Sequence, residues 1–326
     1  MDLAARQFLR AVRGRRSQLA FSRRLGYRSN IALRWEAGRR FPTAVVVLRA
    51  CQRVGIDVYA GLERFHKVSA VHLRKISDEN LAKWLNAQRG HRPVNDIAEQ
   101  SELSRYQVSR CLSGATKPSL PVFFALVDTL SGRLPELVSN WVDIARVPAL
   151  LDRHRANAAA RQCAYDHPWS SAVLALIDTG RNGLGPQPPV SRDPFHVMSP
   201  LVQEMASVLH LPLQTAADAL RALQQAAIIR VKDGQLSIEG PLLTDTRRDA
   251  ESAQQLRRHW ALVSAERLSR PGPEDLFSHN VFSVSRKDYD RLLEMQTRFY
   301  QDARAIIKES QPSEVAALMV LHLMAW

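Results

Sequence analysis

Apolar positions along the first forty residues recur at helical spacing. Leu3, Phe8, Leu9 and Val12 predict a first helix of about eleven residues. Gln18 to Leu25 supply a second, with Leu19, Phe21 and Leu25 as its apolar side. Gly26 breaks it, as a residue tolerant of positive φ does between two packed helices. Ser29 is the expected N-cap of a third helix to about Glu36, with Asn30 and Arg34 on one face and Trp35 on the other. This pattern reads as a helix-turn-helix.

Residues 77–131 repeat the plan. Ser77 with Asp78 and Glu79 starts a helix carrying Leu81, Trp84 and Leu85. A helix at 96–100, a turn at 101–103 and a helix at 104–112 follow. Lys117-Pro118 then closes the unit at the offset of Phe41-Pro42. Val108 and Cys111, three apart, mark the buried side and leave Arg105, Tyr106 and Arg110 on the open side.

Beyond Asn140 the pattern stays helical to Thr179. Gly180 to Pro189 breaks all periodicity and reads as a linker. Two helices, 199–209 and 213–226, precede two short strands, 228–231 and 236–238, around the tight turn Asp233-Gly234. Helix, helix, hairpin is the order of a winged helix. Its second helix, with Gln214, Thr215, Asp218, Arg221, Gln224 and Gln225, carries one basic residue, which favours a structural or dimerising role over DNA reading. A long helix at 246–270, an alternating strand at 277–284 and an amphipathic helix at 288–309 follow. The apolar run from Val315 to Trp326 is expected to be buried, as a sheet-edge strand or inside a dimer.

Charge sharpens this picture. Residues 1–41 hold eleven arginines against Asp2 and Glu36 alone, a local +9 out of +13 for the chain. Such a concentration on a small folded unit suits phosphate neutralisation, so Arg15, Arg16, Arg23 and Arg24 are expected to supply affinity for double-stranded DNA. The second unit is nearly charge-balanced, and a helix-turn-helix can also serve as a packing module without touching DNA. The 45% hydrophobic and 24% charged contents are ordinary for a globular protein. No apolar run approaches the ~18 residues of a spanning helix, so a cytoplasmic, nucleoid-associated bacterial protein is expected. Cys51, Cys111 and Cys163 share no short spacing and read as small buried side chains in a reducing compartment.

Ser17-Gln18, Phe21-Ser22, Leu25-Gly26, Trp35-Glu36, Gly38 and Pro42 together resemble the lambda-repressor-like (XRE-type) helix-turn-helix family. The resemblance implies that Ser29, Asn30 and Arg34 face base edges, where Arg suits guanine and Asn adenine. It implies that Gln18, Arg28, Arg39 and Arg40 meet phosphates, and Glu36 is expected to pair with an arginine inside the domain. Ala32 stands where that family has a large aliphatic residue. Ile31 is the alternative core residue, and its use would rotate the helix. In the second unit the same resemblance makes Arg105, Tyr106 and Arg110 base-reading candidates and puts Ser104, Gln107 and Lys117 nearer phosphate. Val108-Ser109-Arg110 with Ser113-Gly114 is also similar to a lac-repressor-type recognition helix. Departures are Leu112 for Glu and Glu102 for Gly. Residues 165–326, through Asp166-His167-Pro168-Trp169, the winged unit, the strand at 277–285 and the apolar end, resemble a bacterial family of transcription regulators. That family joins helix-turn-helix units to a winged-helix-containing C-terminal domain of unknown function.

The expected fold is mainly α, with two tandem helix-turn-helix domains and a helical winged-helix C-terminal domain holding a small β component. The expected domains are 1–68 and 69–142 for the helix-turn-helix units and 143–194 for a helical connector and linker. A winged helix at 195–240 and a dimerisation or sensor region at 241–326 complete them. No phosphate loop, dinucleotide fingerprint, HExxH or GxSxG is present, and the ten histidines stand singly. His154, His167 and His259 read as solvated. Asp288 and Asp290 suit the dipole at a helix start better than a catalytic pair. No enzyme activity, cofactor or metal is expected. The sequence points to a homodimeric DNA-binding regulator, with room in the reading for an unidentified effector ligand or peptide; the alternatives are a protein-interaction or antitoxin-like sensor module, and an enzyme with an unrecognised site in residues 140–326.

Overall fold

The computed structural model describes residues 1–183, 193–242 and 244–325; the expected linker lies partly outside them. The fold is mainly helical, with sixteen α-helices and one two-stranded sheet among the described residues. It divides into two compact units, Met1–His154 and Arg155–Trp326.

The first unit begins with α1 (Asp2–Arg13), α2 (Gln18–Arg24), α3 (Ile31–Glu36), α4 (Ala44–Arg53) and α5 (Val58–Ala70). It continues with α6 (Asp78–Arg89), α7 (Val94–Ser101), α8 (Arg105–Leu112), α9 (Leu120–Ser131) and α10 (Leu134–Ser139). Helices α1, α2, α4 and α5 start 76 residues before α6, α7, α9 and α10, so this half of the chain is an internal repeat. The two repeats share one core in which Phe8 meets Phe124 edge-on at 5.5 Å and Trp84 lies 6.0 Å from Phe123. The ranges expected as separate helix-turn-helix domains, 1–68 and 69–142, both contribute residues to this core. The repeats also join through backbone: the Ala44 amide donates to Pro118 O and the Leu120 amide to Pro42 O, both at 2.9 Å, around a Thr43–Ser119 bridge.

Helix ends follow local chemistry. Ser17, Ser77 and Ser104 cap α2, α6 and α8, each hydroxyl accepting from the amide three residues on. Asn30, not Ser29, caps α3: its Oδ1 accepts from the Leu33 amide at 3.3 Å. Where Gly26 takes φ +90° after α2, Glu102 takes φ +56° after α7, so the second repeat keeps the left-handed turn without its glycine.

Helix α11 (Pro148–Asp166) runs across the division between the units. The second unit contains α12 (Ser170–Asp178), α13 (Pro200–Leu209), α14 (Leu213–Gln225), β1 (Ile229–Lys232) and β2 (Gln235–Ile238). The strands pair antiparallel from Ile229–Ile238 to Lys232–Gln235, across a turn whose Asp233 and Gly234 both have positive φ. Asn182 O accepts from the Leu236 amide at 2.8 Å, which adds a bridge beside β2. The core here gathers Val173, Leu201, Met205, Leu220, Leu223 and Leu236.

Helices α15 (Ala250–Leu268) and α16 (Arg286–Glu309) follow. Two expectations are corrected here. Residues 277–284 form no strand, and the apolar run from Val315 is neither an edge strand nor buried within the chain: Val315 is 76% and Met324 73% exposed. Alternation alone does not make a strand when no neighbouring backbone offers it a ladder. Among the described residues after Gly240, only Asp245, Ala253 and Leu256 are buried.

Candidate nucleic-acid interface

The outward surface of α3 is set by what its inward surface buries. Ala32 and Trp35 are buried, and the Ala32 amide donates to the buried Ser22 hydroxyl at 3.1 Å. Ile31 is only half-buried, so the helix does not rotate to place it in the core. Glu36 is the polar anchor. Its carboxylate takes the Arg13 Nε at 2.6 Å and the Gln18 Nε2 at 2.9 Å, with Arg10 at 3.8 Å. Arg6 Nε reaches the Glu36 carbonyl at 2.9 Å. One buried acid thus fastens α1, α2 and α3 together, as expected of it. Gln18, expected at phosphate, spends its amide on this anchor.

What faces out is a shallow depression lined by Ser29, Asn30, Leu33, Arg34, Ala37 and Arg39. Arg34 is exposed, and its side chain makes no hydrogen bond or ion pair among the described residues. Asn30 sits at the rim, but its carbonyl oxygen is committed to the cap, which leaves it short of the acceptor that a bidentate adenine contact needs. Leu33, 52% exposed, and Ala37 belong to the same surface and were absent from the sequence expectations. Leu33 follows Asn30 by three residues and Ala37 follows Arg34 by three, and that helical spacing was the available signal.

Along α2 and in the loops that join α1, α2, α3 and α4, Arg15, Arg16, Arg23, Arg24, Arg28, Arg39 and Arg40 are all exposed. Arg24 Nε is held on the Arg53 carbonyl at 2.8 Å, and Arg16 reaches the Arg13 carbonyl at 3.4 Å. The remaining five arginines carry no side-chain partner among the described residues. No acid is exposed between Leu3 and Gln52, so the positive field there is not locally neutralised.

The corresponding surface of α8 is more engaged. Val108, Cys111 and Leu112 are buried, and Arg105, Tyr106 and Ser109 are exposed, Tyr106 by 70%. Arg110 donates to Thr116 Oγ1 at 2.8 Å, to the Tyr106 hydroxyl at 2.9 Å and to the Ala115 carbonyl at 3.3 Å. Its guanidinium also lies over the Tyr106 ring at 5.3 Å. Lys117 pairs with Asp78 at 2.8 Å and so ties its loop to α6. Ser104 is a cap, and Gln107 is half-buried. Leu112 and Val94 occupy the places of Glu36 and Gln18, so an apolar contact replaces the polar anchor.

Elsewhere, Arg221 on α14 is bound at 2.9 Å to both Asp193 and Asp218, which neutralises the one basic residue of that helix. Burial raises all three thiols, Cys51 to about 12, so they stay protonated small core groups. His259 is not solvated as expected. It packs edge-on against Trp169 and Trp260 at 5.4 and 5.0 Å, and burial pushes its imidazole below the usual range. Asp288 caps α16 with Ser285, and Asp290 pairs with Arg286 at 3.0 Å. Among the described residues there is no group of three metal-ligating side chains and no helix long and apolar enough to cross a membrane. Comparison of the chain with protein-family models, characterised proteins and solved structures found no match.

Proposed function

We propose that this chain is a sequence-specific DNA-binding transcriptional regulator. In this reading α2–α3 and α7–α8 are two helix-turn-helix units, and α12–α14 with β1–β2 are a winged helix serving a structural or dimerising role. The observation that carries the reading is Arg34, exposed and without a side-chain partner, in a segment rich in exposed arginines. The field supplies salt-dependent attraction to phosphate, which carries no sequence information. Arg34 supplies discrimination, because a guanidinium fits guanine O6 and N7 as a two-pronged donor, worth about 1–3 kcal/mol against a wrong base.

The reading includes a homodimer joined through residues 241–326. Among the described residues, nineteen of the 28 exposed large hydrophobic side chains lie there, far more than scattered surface residues require. It includes no enzymatic step and no cofactor. The test is selection of bound duplexes from a random library by the full-length protein. Enrichment of a motif is expected. Binding without enrichment and without salt dependence would favour a protein-interaction module instead.

A further inference from the structure

At their joint the two repeats of the first unit pair as the halves of a symmetric dimer do. Adding 76 to Ala44 and Pro42 gives Leu120 and Pro118, and the two hydrogen bonds across the joint are each other's images under that shift. The exchange extends further. The short turn Val71–Leu73, which follows α5, packs on α6 of the second repeat, and the turn Ile144–Arg146, which follows α10, packs on α1 of the first. Reciprocal contacts of this kind mark an isologous, two-fold pairing, and it holds at the joint rather than throughout: α1 also packs on α9 of the second repeat without a matching packing of α6 on α4. Here both partners belong to one chain.

Resting on the DNA-binding reading above, we propose that one chain reads both halves of a DNA element with approximate dyad symmetry. Helix α3 takes one half-site and α8 the other. A two-fold reader matches the dyad of duplex DNA, and it places equivalent side chains at equivalent steps of the two half-sites. The shift pairs Arg34 with Arg110, so both half-sites carry a guanine at the same step. It pairs Ser29 with Arg105, Asn30 with Tyr106 and Leu33 with Ser109, so the flanking steps differ.

The chemistry of Arg110 fits this task. Its three hydrogen bonds use three of five donors and leave one N–H on each terminal nitrogen, the two donors that a guanine edge takes. Phosphate affinity is unequal as well. Residues 77–117 hold six basic side chains against five acidic ones, where the matching residues 1–41 hold eleven against two. The element is therefore a lopsided palindrome, held by its first half and completed by its second.

The test uses the full-length protein on its selected duplex, with every base pair substituted in turn. Arg34→Ala is expected to relax preference at one guanine, by roughly tenfold to a hundredfold, and to leave the other half-site unchanged. Arg110→Ala is expected to do the reverse. Arg105→Ala, on an exposed side chain with no packing role, should alter a flanking step in the Arg110 half only. Two identical half-sites, both relaxed by Arg34→Ala and indifferent to Arg110→Ala and Arg105→Ala, would overturn the proposal, since α3 of two chains would then be reading both. That result would leave DNA reading intact. Failure to select any duplex would instead remove the reading on which the proposal rests.

Discussion

Glu36 and Leu112 occupy the same place in the two repeats and do opposite things. The acid is buried and satisfied by Arg13 and Gln18, so it fixes helix orientation through directional bonds. The leucine simply fills the space. Glu36's pairing was legible in the sequence, because a lone acid amid eleven arginines has ample partners. The role of Asn30 was less so. Whether an Asn caps a helix or reads a base depends on one helix-start position, which propensity places only to within a residue or two. Glu102 is the residue whose local cost is clearest. A non-glycine side chain in the left-handed region costs roughly 1–2 kcal/mol, offset in part by the entropy a glycine would add to the unfolded chain. Glu102→Gly should therefore stabilise the first unit and raise its melting temperature by about 2–4 °C. An unchanged or lower value in thermal unfolding would show that the turn is relaxed as it stands.

At the level of elements, α1–α3 and α6–α8 were readable because their apolar residues face a core at helical spacing, whereas α4, α5, α9 and α10 were not placed. The hairpin was readable from Asp233-Gly234, whose positive φ values suit the turn. Residues 277–284 were not, since a strand needs a partner as well as an alternating pattern. His259 was misread for a related reason: its neighbours in sequence are charged, but α15 turns it toward Trp169. Burial lowers its pKa from 6.5, so the folded state favours the neutral ring. The stability this contributes is complete above pH 6.5 and declines as pH falls through the lower folded value. Thermal unfolding of the second unit, followed by tryptophan fluorescence, should show weaker packing of α15 at pH 5 than at pH 7.5. His259→Phe should reduce that difference, and an undiminished pH response in the variant would assign it to other groups.

For the whole molecule, the sequence made the tandem arrangement visible through the matched offsets of Phe41-Pro42 and Lys117-Pro118. It did not reveal that the repeats share a core and exchange turns, because such pairing depends on contacts between residues 76 apart. The second unit raises the opposite issue, because after Gly240 its described residues bury almost nothing of their own. A 24-residue helix carrying exposed Met295, Phe299 and Ile306 is costly to leave in water. Sedimentation equilibrium should give twice the 36.7 kDa chain mass, and a stable species of one chain would contradict the dimer. The central claim, that the arginine field and Arg34 together read DNA sequence, is tested most directly by selecting bound duplexes from a random library with the full-length chain. The account predicts one enriched motif of two related but unequal half-sites. Recovery of the starting library unchanged would contradict it.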